Sequence, residues 1–388
     1  MRASKDKLTI VIVGGGVEGL SLAYNLARLG QHKIIVFEKN YVGSGASSRN
    51  ATAVRDAWFI PELCNLMRET VKVWQQLSSE LDYNVLFSRR GYFFVARTDS
   101  QLELCEEAVR LQKTCGIETR LLDNEEAVRL VPCLNAKEVA GGIFSPKAGI
   151  ARHEALIYGY MNACLRLGVS IVPHTNVEAI RVGNGCVKSV KTDRGEVETQ
   201  VVVNAAGGDS KEVAKMVGVE IPTHPTRWEA LVTEPIKPYF DPYIRCLKTG
   251  LYMNQTIRGE IVAGIDSAES PSVELRSSLS FLKKISKTIL PLIPPLSRLS
   301  VLRAWAGTIA VTPDDCPILG PVPEVEGFIL DCGWLFGFAA APIAGRMLAK
   351  AIVEDKVPGL IEPFRVTRFA EGKLIGERKC EEKMVLAV

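Results

Sequence analysis

LTIVIVGGGVEGLSLAYNLARLGQHKIIVFE, residues 8–38, organises the whole chain. An uninterrupted apolar run over 8–13 reads as a buried strand, and three glycines from Gly14 to Gly16 read as a turn. A helix opens at Val17, and a second apolar run over 33–37 ends at Glu38. This is a βαβ unit carrying G-x-G-x-x-G at Gly14, Gly16 and Gly19, with an acid nineteen residues past the last glycine. Gly14 lets the chain turn sharply, Gly16 leaves room for a pyrophosphate to approach the backbone, and Gly19 lets helix and strand pack closely. The helix N-terminus offers unpaired N–H groups and the positive end of a dipole to the phosphates, and Glu38 can accept from ribose hydroxyls. Strand, glycines, helix and acid in this order imply a bound dinucleotide.

At 388 residues, 47% apolar and 23% charged, the chain has the length for two domains and ample core for both. A net charge of +3, with no basic run, argues against nucleic acid as a partner. The apolar run after Arg2, Lys5 and Lys7 is too short for a signal peptide and continues into the glycine turn. The longest uncharged apolar stretch, starting at Cys332 and ending at Gly345, falls short of the ~18 residues that span a bilayer. The ten cysteines make no C-x-x-C pair, and the four histidines have no metal-ligand spacing, so a metal site is not expected and most thiols should be reduced and buried.

Outward from the opening unit, Gly43 to Ser48 (GSGASS) is a loop of small, turn-prone residues at the C-terminal edge of the second strand, where open α/β sheets bind ligands. Arg49, Asn50 and Arg55 add polar reach. Helical periods follow over 61–80, 101–116 and 152–168, and strands over 89–96 and 170–173. Strands are expected over 177–182, 186–192 and 196–203, the last opening onto Ala205, Ala206, Gly207 and Gly208 and a helix over 210–217. Further strands are expected over 228–234, 251–254, 260–266, 302–309 and 327–331, with helices over 272–290 and 338–354. Strand–glycine–helix units thus occur at the start, middle and end. The expected fold is α/β: a Rossmann-like dinucleotide domain assembled from 1–85, 145–220 and 300–388, with a substrate domain of mainly antiparallel sheet from 86–144 and 221–299.

The ordered motifs VIVGGGVEG with Glu38, GSGASSRN, VVNAAGGDS, WAG followed by TPDDCPILGP, and CGWLFGFAAAPIAG resemble the D-amino-acid-oxidase-like family of FAD enzymes over nearly the whole chain. Within that family they look most like the beta-type subunits of sarcosine oxidases and dye-linked proline dehydrogenases. The resemblance implies non-covalent FAD, with Gly14, Gly16 and Gly19 at the pyrophosphate and Glu38, followed by Lys39, at the ribose. It puts Ser47, Ser48 and Arg49 along the pyrophosphate and flavin edge, Val177 at the adenine, and Ala206 and Gly207 by the phosphates and ribitol. Gly333, Gly337, Phe338 and Ala339 would lie at the flavin's pyrimidine end, where a helix N-terminus favours the anionic reduced ring. The chemistry implied is transfer of a hydride equivalent from a C–H bond beside nitrogen to flavin N5. Arg55 would anchor a substrate carboxylate, and Tyr252 would contact substrate.

Gly307 stands where a flavin-bonding cysteine occurs in monomeric relatives, and Ala339 stands where others carry a lysine. The second departure weakens the case for an oxidase using oxygen and favours transfer of electrons to a carrier or an alpha-type partner subunit. Trp334, Leu335 and Phe336 would wall an apolar pocket or cover a subunit interface. Two alternatives stay open: a 2-hydroxy-acid or glycerol-phosphate dehydrogenase, and a flavin-binding subunit without activity. The expected location is cytoplasmic or peripheral on the inner face of the membrane, in an oligomer.

Overall fold

The computed structural model describes residues 8–266 and 274–376. Its centre is a six-stranded sheet in the order Ile318–Pro321, Phe328–Cys332, Val201–Asn204, Thr9–Val13, Lys33–Phe37, Ser170–Val172. All neighbours are parallel except the edge strand Ile318–Pro321. Thr9–Val13 therefore lies in the interior and needs apolar residues on both faces. Ile10 and Ile12 point to a core shared with the helices Val17–Arg28, Pro61–Glu80, His153–Arg166 and Gly337–Glu354. Val11 and Val13 point the other way, to a core covered by the antiparallel strands Val177–Gly183 and Cys186–Thr192, which continue into Gly195–Glu198.

The opening and closing helices touch backbone to backbone. A Cβ on Gly345 would lie 2.5 Å from Ser21 Oγ and 2.7 Å from Leu22 N, so only glycine allows this approach. That contact joins the two ends of the chain into one layer.

The expected single strand over 196–203 is two strands in two sheets. Thr199 Oγ donates to Thr9 O at 2.7 Å, and Thr9 N donates to Gln200 Oε1 at 2.9 Å. These side-chain bonds take the chain out of one ladder and deliver Val201–Asn204 to the other.

The second sheet has eight strands in the order Val301–Val311, His224–Thr233, Ile261–Ile265, Leu251–Gln255, Tyr243–Cys246, Tyr92–Ala96, Gly141–Ser145, Arg120–Asp123. Only the pairing of Tyr243–Cys246 with Tyr92–Ala96 is parallel. Val301–Val311, grouped by sequence with the last segment of the dinucleotide domain, lies in this sheet and pairs along His224–Thr233. The helix expected over 272–290 runs Leu279–Leu292; residues 272–273 lie outside the described residues. Its start is set by Ser278, whose Oγ accepts from Phe281 N at 3.1 Å while Glu229 holds Ser278 N at 2.7 Å. Pro291 is accommodated in the last turn.

Candidate functional site

Each motif glycine has a measurable reason. Gly14 has φ +116, and a Cβ there would lie 2.3 Å from Ala205 O; a Cβ on Gly19 would lie 2.1 Å from Gly14 O. Gly16 differs: its backbone is extended, and a Cβ would meet only Ser47 Oγ, at 3.0 Å. The space over Gly16 is open at the first turn of the opening helix, as close approach of a phosphate requires. Glu38 closes the turn: Oε2 accepts from Gly15 N at 2.9 Å, and Oε1 accepts from Asn40 N at 2.9 Å and Ser44 Oγ at 3.1 Å. A carboxylate has about four acceptor positions, so one remains for a ribose hydroxyl.

The loop after Glu38 bends over this turn. Ser47 Oγ accepts from Val17 N at 3.0 Å, and Arg49 binds Ser44 O and Gly45 O. Trp305 Nε1 donates to Arg49 O at 3.0 Å, and a Cβ on Gly307 would lie 3.0 Å from Arg49 Cβ. On the other side, Gly208 abuts Thr308 Cγ2, and an ion pair between Lys39 and Asp209 ties the second strand's end to the Gly207–Asp209 turn. Lys39 is thus a tether between two turns. Val177 is buried where its strand starts, beside the segment that Thr175 N anchors to Glu38 O at 2.9 Å.

At the far end, Gly333 (φ +72) leaves no room for a side chain against Thr312, and Gly337 opens the closing helix. Phe338 turns its ring into the core against Trp74, at 5.4 Å between centroids, and Trp74 Nε1 donates to Ala339 O at 2.8 Å. Phe338 and Ala339 are therefore buried scaffold, and both Ala339 backbone groups are paired within the protein. Trp334 does not wall an open pocket: it is buried, and its Nε1 donates to Asp331 Oδ1 at 2.8 Å. The Phe336 ring lies tilted against Trp58 at 4.1 Å between centroids, and the Arg55 guanidinium lies 3.6 Å over the same indole. Arg55 also lies 5.3 Å from the Tyr92 ring and 5.0 Å from Phe94. Aromatic rings thus surround the Arg55 guanidinium, as cation–π contact favours. Tyr252 is buried in the cluster that holds Tyr92 and Phe94, stacks on Trp228 and covers Gly264. Burial pushes its phenol well up, so it is a neutral donor.

Two carboxyl groups lie behind this end. Glu18, in the opening helix's first turn, and Asp331 are both buried. Burial raises Asp331 to about 7; burial and the Asp331 charge raise Glu18 well above the carboxylate range. Glu18 and Trp58 are site residues that sequence reasoning passed over. The signal for Glu18 was present: an acid inside the glycine motif, on a helix with no exposed face there.

The family described as DAO, FAD dependent oxidoreductase, matches residues 9–351. The chain belongs to this family. Sarcosine oxidase subunit beta of Rhodobacter capsulatus is 31% identical over 96% of this chain and 91% of that protein. The protein of the same name from Rhizobium meliloti is also 31% identical, over 96% and 91%. Among solved structures, L-proline dehydrogenase from P. horikoshii superposes with a TM-score of 0.91 at 31% identity, covering 95% of this chain and 99% of that one. Glycine oxidase from Geobacillus kaustophilus, at 23% identity, 93% and 98% coverage and a TM-score of 0.86, shares the fold.

FAD dependence follows from membership, and the residues present fit the cofactor. Gly14, Gly16, Ser44, Ser47–Arg49, Ala206, Gly208 and Gly337 are all half-buried, a partly open floor rather than a packed core. Two helix N-termini, at Val17 and Gly337, end on that floor. Among the described residues, no helix is long and apolar enough to cross a membrane, and no group of His, Cys, Asp and Glu has metal-site geometry.

Proposed function

We propose that this chain oxidises the C–N bond of a small amino acid or secondary amine, proline or an N-methyl glycine foremost, and passes the electrons to a carrier or partner subunit. The supporting observation is the contact chain Arg55–Trp58–Phe336, which brings a buried guanidinium to the start of the closing helix. Bound non-covalently, FAD supplies a two-electron acceptor beside those contacts. Arg55 holds the substrate carboxylate by its edge, while Trp58, Tyr92 and Phe94 exclude water around the reacting carbon. Tyr252 donates to substrate from the neighbouring strand, and Gly333 and Gly337 hold the flavin's pyrimidine end. Glu38, Ser47, Ser48 and Arg49 hold the ribose, the pyrophosphate and the flavin edge.

The names of the sarcosine oxidase relatives, both beta subunits, support a place in a larger assembly. Anaerobic mixing with proline, sarcosine, glycine, D-amino acids and 2-hydroxy acids tests the substrate class. Proline or sarcosine should bleach the flavin; bleaching by hydroxy acids alone refutes the amine assignment. Acid precipitation should release free FAD, and flavin retained in the pellet refutes non-covalent binding.

A further inference from the structure

The opening and closing helices both point their N-termini at the dinucleotide floor, and Glu18 lies between them. It belongs to the first turn of Val17–Arg28, and its Oε1 comes within 2.7 Å of where a Cβ on Gly337 would sit. Neither Glu18 oxygen has a hydrogen-bond partner, and Asp331 Oδ2 also lacks one; Glu18 is 8% exposed and Asp331 1%. An ionised, unpaired carboxylate in this setting is costly, and two are costlier. Among the described residues, their surroundings supply no cation. The opening helix adds only the Ser21 hydroxyl nearby, and the closing helix presents Gly337 and Phe338. The strand Phe328–Cys332 adds the Cys332 thiol, which burial keeps neutral. The guanidinium on that side, Arg368, is committed to both oxygens of Asp314 at 2.9 Å.

We propose that Glu18 and Asp331 retain a proton between them at neutral pH, and that losing it weakens FAD binding. The proposal rests on the FAD reading above. A carboxylate at Glu18 places negative charge between the two helix ends that bind the anionic cofactor, opposing the pyrophosphate in a medium of low dielectric. Protonated, Glu18 leaves both ends to FAD. Binding and proton retention are then linked: the Kd for FAD rises as pH passes the titration of the pair.

The test is release of FAD from the loaded full-length chain on dilution, read by recovery of flavin fluorescence across a pH series. In the wild type, Kd is flat at low pH and then rises about tenfold per pH unit above the break. Glu18→Gln, which keeps the volume and cannot ionise, removes that rise. Asp331→Asn, which removes the neighbouring charge, moves the break to lower pH. A wild-type Kd independent of pH, or an unchanged rise in Glu18→Gln, overturns the proposal. Infrared difference spectroscopy gives a readout that needs no cofactor: a carboxylic-acid C=O stretch at neutral pH that weakens in Glu18→Gln. Its absence from the wild type refutes the retained proton. A protein that shows the stretch but takes up no FAD refutes the cofactor reading instead.

Discussion

Two of the motif glycines, Gly16 and Gly19, should fail in different ways when given a methyl group. At Gly19 the methyl would lie 2.1 Å from Gly14 O and 3.1 Å from Ile12 Cγ2. Neither neighbour is the free end of a flexible chain, so helix and strand must separate. Overpacking of this kind costs about 1–3 kcal/mol, and contact with backbone puts Gly19→Ala at the upper end. At Gly16 the backbone lies at φ −78 and ψ −179, where alanine is unstrained, and the only near contact is Ser47 Oγ at 3.0 Å. Gly16→Ala should lower stability by less than about 1 kcal/mol, the usual margin between glycine and alanine at a helix N-cap. The methyl nevertheless projects into the approach to the helix N-terminus. Losing one or two charge-assisted hydrogen bonds from backbone N–H to phosphate costs about 3 kcal/mol in binding, a little over a hundredfold in Kd. Urea denaturation of flavin-free protein and FAD titration separate the effects. Gly19→Ala should lose stability first, and Gly16→Ala should lose FAD first. A Gly16→Ala protein that binds FAD as the wild type does would refute the placing of the pyrophosphate at this turn.

Arg55→Lys keeps the charge but loses the planar fork and the aromatic stack. The KM for the carboxylate substrate should rise about tenfold to a hundredfold in steady-state assays, and an unchanged KM removes Arg55 from the site. Arg368→Ala strands Asp314 without its bidentate partner and should destabilise the chain by about 3–5 kcal/mol, read from the urea midpoint. Hydrogen bonds and charge from Arg368 hold Asp314 low despite its burial, so its contribution is present at neutral pH and is lost as pH falls through that depressed value. Asp331 has the opposite sign. Its folded value of about 7 lies above that of the unfolded chain, so the wild type loses stability as pH rises toward and through 7. Thermal midpoints of flavin-free Asp331→Asn should decline less over the same range.

The first βαβ unit was legible because every signal in it is local: an apolar run of strand length, glycines at fixed spacing and an acid at a set distance. Helices with a clear period, such as Pro61–Glu80, were legible to the residue. The strands Arg120–Asp123 and Tyr243–Cys246 escaped because they are four residues each and gain their order from the sheet around them. The split of 196–203 escaped because it depends on Thr199 and Gln200 bonding to Thr9, almost two hundred residues away. Arg55 was legible only through family resemblance. Its aromatic setting joins Trp58 and Phe336 from opposite ends of the chain, a contact no window of sequence contains.

Retention of the cofactor joins these observations. Gly307 lies against Arg49, with room for a Cβ only 3.0 Å from Arg49 Cβ, and Arg49 in turn is fixed by Ser44 O, Gly45 O and Trp305. A reactive side chain at 307 would have to displace the loop that covers the glycine turn. The same crowding that shapes this loop leaves no place for a covalent anchor at position 307. Under the proposed reading, the contacts to FAD lie at two helix ends and Glu38. With Glu18 between the two ends, the proposed proton bears directly on cofactor retention, whereas charge at the exposed rim is screened by water.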